Sequence, residues 1–124
     1  METIITEEYL DAHPNEIFVF GDNLDGRGLG GAAKLRYHKQ AIGFITKKHP
    51  DNEDESFFTC ENYIAWYLRA VSSLRDRIKR QPDKTFLISK LGAGLANRYG
   101  IFEKIIEPTI KALLSDLNNV RWLW

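Results

Sequence analysis

The residues best able to do chemistry lie together at Gly21-Asp22-Asn23-Leu24-Asp25-Gly26-Arg27-Gly28-Leu29-Gly30-Gly31, where four glycines fall within six positions directly after two aspartates and an asparagine. Glycines let backbone N–H groups come close to an anion, and the unpaired N–H groups and dipole of a helix start favour negative charge. A phosphate or diphosphate cradle is the chemistry this pattern suits. A tight strand-to-helix turn would use the same glycines. Asp22 and Asp25 are candidates for activating water, with a plain turn or cap role as the other reading, because aspartate bonds readily to its own backbone in turns.

A second cluster, Gly92-Ala93-Gly94-Leu95-Ala96-Asn97-Arg98-Tyr99-Gly100, repeats the theme. Arg98 and Tyr99 have the chemistry to clamp a phosphate and stack on a ring, and equally that of a surface pair on a loop. Other reactive types are sparse. Cys60 is the single cysteine, which rules out an internal disulfide, fits a reducing compartment and reads as a half-buried helix residue rather than a nucleophile. His13, His38 and His49 have no partner at metal-ligand spacing, so no metal site and no bound cofactor are expected. Lys47-Lys48 reads as a solvated strand end.

The elements that must position these residues follow from hydrophobic pattern. Glu16 to Phe20 is a strand whose near-continuous apolar run predicts cover on both faces. The first glycine loop should open a helix from Gly28 to about Gln40. A strand at Ala41 to Thr46 leads to a solvated acidic loop at Asp51 to Glu55, the segment expected to move most. Thr59 is an N-cap for a helix to about Arg80, with Tyr63, Tyr67, Ala70, Leu74 and Ile78 on its apolar face and Trp66 and Leu68 widening it. Thr85 to Ser89 is the next strand and runs into the second glycine loop. A last helix, about Ile101 to Leu117, contains Pro108, which belongs either in its first turn or at a kink. Val120 to Trp124 closes as a strand. Thr6 to Ala12 gives a turn or two of helix, and Met1 to Ile5 a short edge strand. Strands alternating with helices predict a three-layer α/β domain spanning 1–124.

The totals narrow the class. With 124 residues the chain makes a single domain with its own core. Seventeen basic and seventeen acidic residues cancel, so no bulk field would hold a long nucleic acid. The N-terminal stretch lacks the apolar centre of a signal peptide and no run approaches the ~20 apolar residues of a membrane span, so a cytoplasmic protein without a membrane partner is expected. Oligomeric state is open.

Both glycine loops follow buried strands. In open α/β sheets ligands collect at the carboxyl ends of the strands, so two such loops would form facing walls of one cleft able to grip both phosphates of a dinucleotide-like ligand. The run Phe18-Val19-Phe20-Gly21-Asp22-Asn23-Leu24, then Gly26-Arg27 with a Gly/Ala stretch, then Leu91-Gly92-Ala93-Gly94-Leu95-Ala96, resembles a macrodomain-like family met largely in bacteriophages and bacteria. The later part, including Phe44-Ile45-Thr46-Lys47-Lys48 and Glu61-Asn62, also resembles the macrodomain branch that hydrolyses ADP-ribosyl esters of glutamate. The likeness runs over nearly the whole chain from Glu16 onward.

This resemblance implies a three-layer fold with a central mixed sheet flanked by helices, binding ADP-ribose or a related NAD-derived nucleotide. It places Gly28, Gly30 and Gly31 in a first phosphate loop with Gly21 at its root, Gly92, Ala93, Gly94 and Leu95 in a second with Asn97, Arg98 and Tyr99 beyond, and Asn23 within reach of a ribose hydroxyl. There are departures. The phage-type loop spaces its glycines as Gly-Ala-Gly, the acidic adenine-binding residue of typical macrodomains has no counterpart, and Gly-Cys-Gly-Leu-Asp of the hydrolysing branch is here Gly92-Ala93-Gly94-Leu95-Ala96. A methyl group at Ala96 supplies neither nucleophile nor base. Three functions are compatible with these residues. The first is binding without turnover, as a reader or a phage-type sponge that withdraws a nucleotide signal from host defence, in which case the cytoplasm is the host's. The second is hydrolysis of an ADP-ribosyl or ADP-ribose-phosphate bond, with water activated by Asp22 or by substrate phosphate near Asn23. In the third, the glycines only turn the chain and the aromatic C-terminus is a subunit interface.

Overall fold

The structure, a computed structural model, describes residues 4–124. A helix α1 (Glu7–Ala12) precedes β1 (Glu16–Asn23), then β2 (Ala41–Lys47), α2 (Cys60–Arg80), β3 (Thr85–Ile88), α3 (Glu107–Leu113) and β4 (Val120–Trp122). The sheet order is β2-β1-β3-β4, and every adjacent pair is parallel. The expected mixed sheet is thus corrected to a wholly parallel one among the described residues. The cause is connectivity: each strand is followed by a crossover that returns the chain to the same end of the sheet. Most of the expected edge strand Met1 to Ile5 lies outside the described residues; Ile4 and Ile5 are not strand.

Three layers form because β1 and β3 are apolar on both faces. Ile17, Val19, Phe86 and Ile88 meet Tyr63, Tyr67, Val71, Leu74 and Ile78 of α2, together with Ile106 and Ile110. Phe18, Phe20 and Leu87 meet Leu10 of α1, Ala33, Leu35 and Leu123 on the other side. Each such large side chain, fully buried, contributes roughly 1.5–3 kcal/mol. No helix among the described residues is long and apolar enough to cross a membrane.

Helix α2 begins as expected at the Thr59 cap, in a box where Thr59 Oγ1 accepts from Asn62 N–H and Asn62 Oδ1 accepts from Thr59 N–H. Its buried stripe passes through Val71, while Trp66 and Leu68 are exposed rather than part of the packed face. The last helix splits. A single π turn, Phe102–Ile106, precedes α3, so Pro108 sits in the first turn of regular helix where its missing N–H is tolerated. Trp122 and Trp124 pack edge to face with each other, and Trp124 does so with Phe102.

The largest correction concerns the first glycine loop. It leads not to a helix reaching Gln40 but to one 3-10 turn, Gly31–Leu35, and β1 continues through Gly21, Asp22 and Asn23 before the loop begins. Gly30-Gly31 is poor helix sequence, and after the 3-10 turn the chain bends again, His38 N–H bonding to the Leu35 carbonyl and Ala41 N–H to the His38 carbonyl, before β2 begins. No helix dipole therefore stands behind this loop.

Candidate functional site

From β1 the chain crosses to β2 on one side, and from β3 to β4 on the other. Loops leaving the carboxyl ends of adjacent strands in opposite directions open a crevice at the switch point. A cavity of about 840 Å³ lies there, lined by the end of β1, the first glycine loop, the end of β2 and the second glycine loop. Its lining includes Gly21, Asp22, Asn23, Gly28, Gly30 and Gly31 from one side and Gly92, Ala93, Gly94 and Leu95 from the other. The approach is close: a Cβ on Gly21 would stand 3.8 Å from the Gly92 nitrogen.

The loops present donors. Among the described residues the N–H groups of Arg27 to Gly30 and of Gly94 to Ala96 have no acceptor in the protein. Successive backbone amides of this kind are what a nest uses to hold an anion without a helix start. Gly28 at φ +100° adopts a conformation closed to ordinary side chains, which is what turns the first loop over the cavity.

Side chains hold that loop in shape. The Asn23 amide donates to the Arg27 carbonyl at 2.7 Å, and its oxygen accepts from Asp25 N–H at 3.0 Å. The Asp22 carboxylate accepts from Asn23 N–H and pairs with Arg36, both at 2.7 Å. Arg36, a residue the sequence did not single out, also donates to the Gly28 and Arg27 carbonyls at 3.0 and 3.2 Å and lies over the Phe20 ring. Its side chain is 8% exposed, so this is a nearly buried strap. Gly43 makes room for the Asp22 carboxylate that the strap holds, since a Cβ there would overlap it. Asp22 and Asn23 thus line the cavity while their polar atoms build the loop.

Lys47 was also missed. Far from being a solvated strand end, it is 8% exposed and lines the cavity, its ammonium 4.5 Å from the centre of the Phe57 ring. Desolvation holds its pKa below the ordinary lysine value; Asp51 opposes that shift and Arg98 adds to it. Two adjacent lysines at a strand end read as surface, and nothing local announces that Phe57 will cover one of them.

Asn97, Arg98 and Tyr99 are not among the cavity-lining residues. Asn97 accepts from Phe102 N–H and donates to the Glu103 carboxylate, capping the next helical segment. Arg98 pairs with Asp54 at 3.3 Å and lies 4.1 Å from the Phe57 ring centre, and the Tyr99 hydroxyl donates to Asp54. These contacts tie the acidic loop, expected to be the most mobile segment, to the second glycine loop. The Asp54 carboxyl is accordingly held below its ordinary pKa, first by Tyr99 and then by Arg98. Cys60 is half-buried near the start of α2, its thiol 3.3 Å from the Tyr99 carbonyl.

Fold and site together define a parallel α/β domain with a loop-lined cavity at its switch point. By sequence the chain belongs to a family of unknown function, DUF7831, whose model matches residues 1–97 and so takes in both glycine loops as far as Asn97. No match to the chain was found among curated proteins or among solved structures.

Proposed function

We propose that this chain is a compact macrodomain-like domain that binds ADP-ribose or a related NAD-derived nucleotide in the cavity, with the diphosphate against the backbone amides of the two glycine loops. The observation that carries this reading is that both loops line one cavity and that residues of both loops have N–H groups without an acceptor in the protein. The volume lies within the ~300–1,000 Å³ of small-molecule sites. Lys47 supplies a cation that a phosphate would pair with, relieving a charge now held in poorly solvated surroundings.

Binding without turnover is favoured over hydrolysis. Asp22, the carboxylate among the cavity-lining residues, is already paired with Arg36, Asp25 lies outside that lining and pairs with His49 and Arg27, and Ala96 brings only a methyl group. One observation favours the hydrolytic reading: Lys47, with its lowered pKa, gives up a proton more readily than a surface lysine and faces the same space. Calorimetric titration with ADP-ribose, NAD, AMP and cyclic ADP-ribose separates the readings. Heat with ADP-ribose and weaker heat with AMP, which lacks the second phosphate, is the expected result. Ligand at 100 times its dissociation constant should stabilise the fold by about 2.7 kcal/mol. Absence of both heat and thermal shift for all four nucleotides would refute the proposal, and release of product from an ADP-ribosylated peptide would make the protein a hydrolase.

Lys47→Met should weaken ADP-ribose binding by about tenfold while leaving the unliganded fold as stable or more so. The pH dependence has a definite sign. Ligand phosphate favours charged Lys47, so binding takes up protons, and affinity falls as pH rises through the lowered pKa of the free protein. Lys47→Met should flatten that decline.

A further inference from the structure

We infer that the open edge of β2, with the wall that α2 raises beside it, is a docking site for an extended acidic segment of a partner protein that adds to the sheet as a strand. β2 is the outermost strand on its side. Phe18 N–H donates to the Gln40 carbonyl at 2.7 Å. Successive residues of a strand direct their backbone groups to opposite sides, so Ile42 and Phe44 bond toward β1 while Ala41, Gly43 and Ile45 face outward. Two of those outward groups are used, the Ala41 N–H by the His38 carbonyl at 3.0 Å and the Ile45 carbonyl by the Tyr63 hydroxyl at 2.5 Å. The Ala41 carbonyl, both Gly43 groups and the Ile45 N–H have no partner among the described residues.

Such a row is a template for strand addition, and proteins that do not use an edge blunt it with charge, proline or a covering element. From Ala41 to Ile45 this edge carries neither charge nor proline. A cavity of about 500 Å³ occupies the angle between β2 and α2, with Trp66, Arg69 and Arg77 on the helix side, and it shares no residue with the nucleotide cavity. Trp66 is 36% exposed with the Arg69 guanidinium over its ring. Neither arginine has an acidic partner among the described residues.

These features define the occupant. The eight residues from Arg69 to Arg77 span about 12 Å of helix, which an extended strand covers in about four residues. Carboxylates at positions i and i+4 of an incoming strand share one face and meet both arginines, with the apolar side chain between them over Ala70, Ser73 and Leu74 and with Trp66 one turn beyond Arg69. A second copy of this chain paired edge to edge would set the arginines of both copies on one face of the joined sheet. Charge therefore favours an acidic partner over self-association.

The test uses the full chain and a fluorescein-labelled peptide, Thr-Glu-Thr-Val-Thr-Glu-Thr, followed by anisotropy and by amide NMR shifts. Saturable binding with the largest shifts at Gly43 and Ile45 is expected, and no binding of the same peptide with lysine in place of glutamate. Arg69→Glu with Arg77→Glu should weaken binding by roughly tenfold, the scale of two exposed ion pairs; Arg69→Gln with Arg77→Gln should give a smaller loss if the reversal disturbs folding. Absence of binding at millimolar peptide, equal affinity for the charge-reversed variant, or shifts confined to other regions would overturn the inference. So would a concentration-dependent dimer whose formation perturbs the same two amides.

Discussion

The two glycine loops look alike in sequence and are held by different forces. The first, after β1, has only one 3-10 turn behind it and owes its shape to polar contacts: the Asn23 amide, the Asp22 carboxylate and, above all, the Arg36 strap across the Arg27 and Gly28 carbonyls. The second, after β3, is backed by the π turn. Gly92, at φ +79°, lies so close to that turn that a Cβ would come within 2.6 Å of Ile106 Cδ1. Glycine richness thus identifies where the backbone comes close to something without saying what. Loss of charge should damage the first loop more than the second, and added volume packed against Ile106 should damage the second.

The largest effect is expected at the strap. Arg36→Met keeps much of the side chain's length and its cover over Phe20 but leaves the Asp22 carboxylate without its partner. Breaking a largely buried ion pair costs roughly 3–5 kcal/mol, reduced here toward about 3 because Asp22 retains its bond from Asn23 N–H. Urea melts should show it, and ADP-ribose affinity should fall with the first loop loosened. If Asp22→Asn added to Arg36→Met without coupling, the polar account of this loop would be wrong.

Gly92→Ala comes next. A strained backbone and an overlap with fully buried Ile106 together cost roughly 2–3 kcal/mol. Gly94 is the internal control. It lines the same cavity, a Cβ there meets nothing within 4 Å, and its φ is not positive. Gly94→Ala should change stability by less than about 0.5 kcal/mol yet lower nucleotide affinity if the loop backbone lies against phosphate. An alanine at 94 that leaves affinity untouched would remove the second loop from the proposed cradle.

The same contrast shows what the sequence could reveal. Thr59 with Asn62 makes a local cap, and the stripe from Tyr63 to Ile78 a local period, so α2 was legible to the residue at its start. The buried strands were legible too, because two covered faces leave an unbroken apolar run. The crossover after β1 was not, since whether Gly28 to Gln40 coils depends on how far β1 extends and where β2 must begin. Arg36 and Lys47 were unreadable for a related reason: a basic side chain looks solvated until a distant aspartate or phenylalanine arrives beside it. Arg98 and Tyr99 failed in the opposite direction. Their chemistry suits a ligand, but an acidic loop more than forty residues earlier in the chain takes them instead.

That acidic loop offers the smallest and most discriminating test of the comparison. Asp54 is the carboxylate of the acidic loop to which the second glycine loop is tied, through Tyr99 and Arg98, and both ties are exposed. Its pKa is depressed in the folded chain from the usual 3.8, so its contribution is complete above that value and is lost as pH falls through the lower folded one. Asp54→Asn should therefore lower stability slightly at neutral pH and make the acid limb of the stability profile shallower, with the difference from wild type vanishing in strong acid. Salt should shrink it, as for any exposed pair. The Arg36→Met deficit, resting on a nearly buried pair, should persist in the same salt. A salt response shared by both variants would mean that the two loops are held in the same way after all.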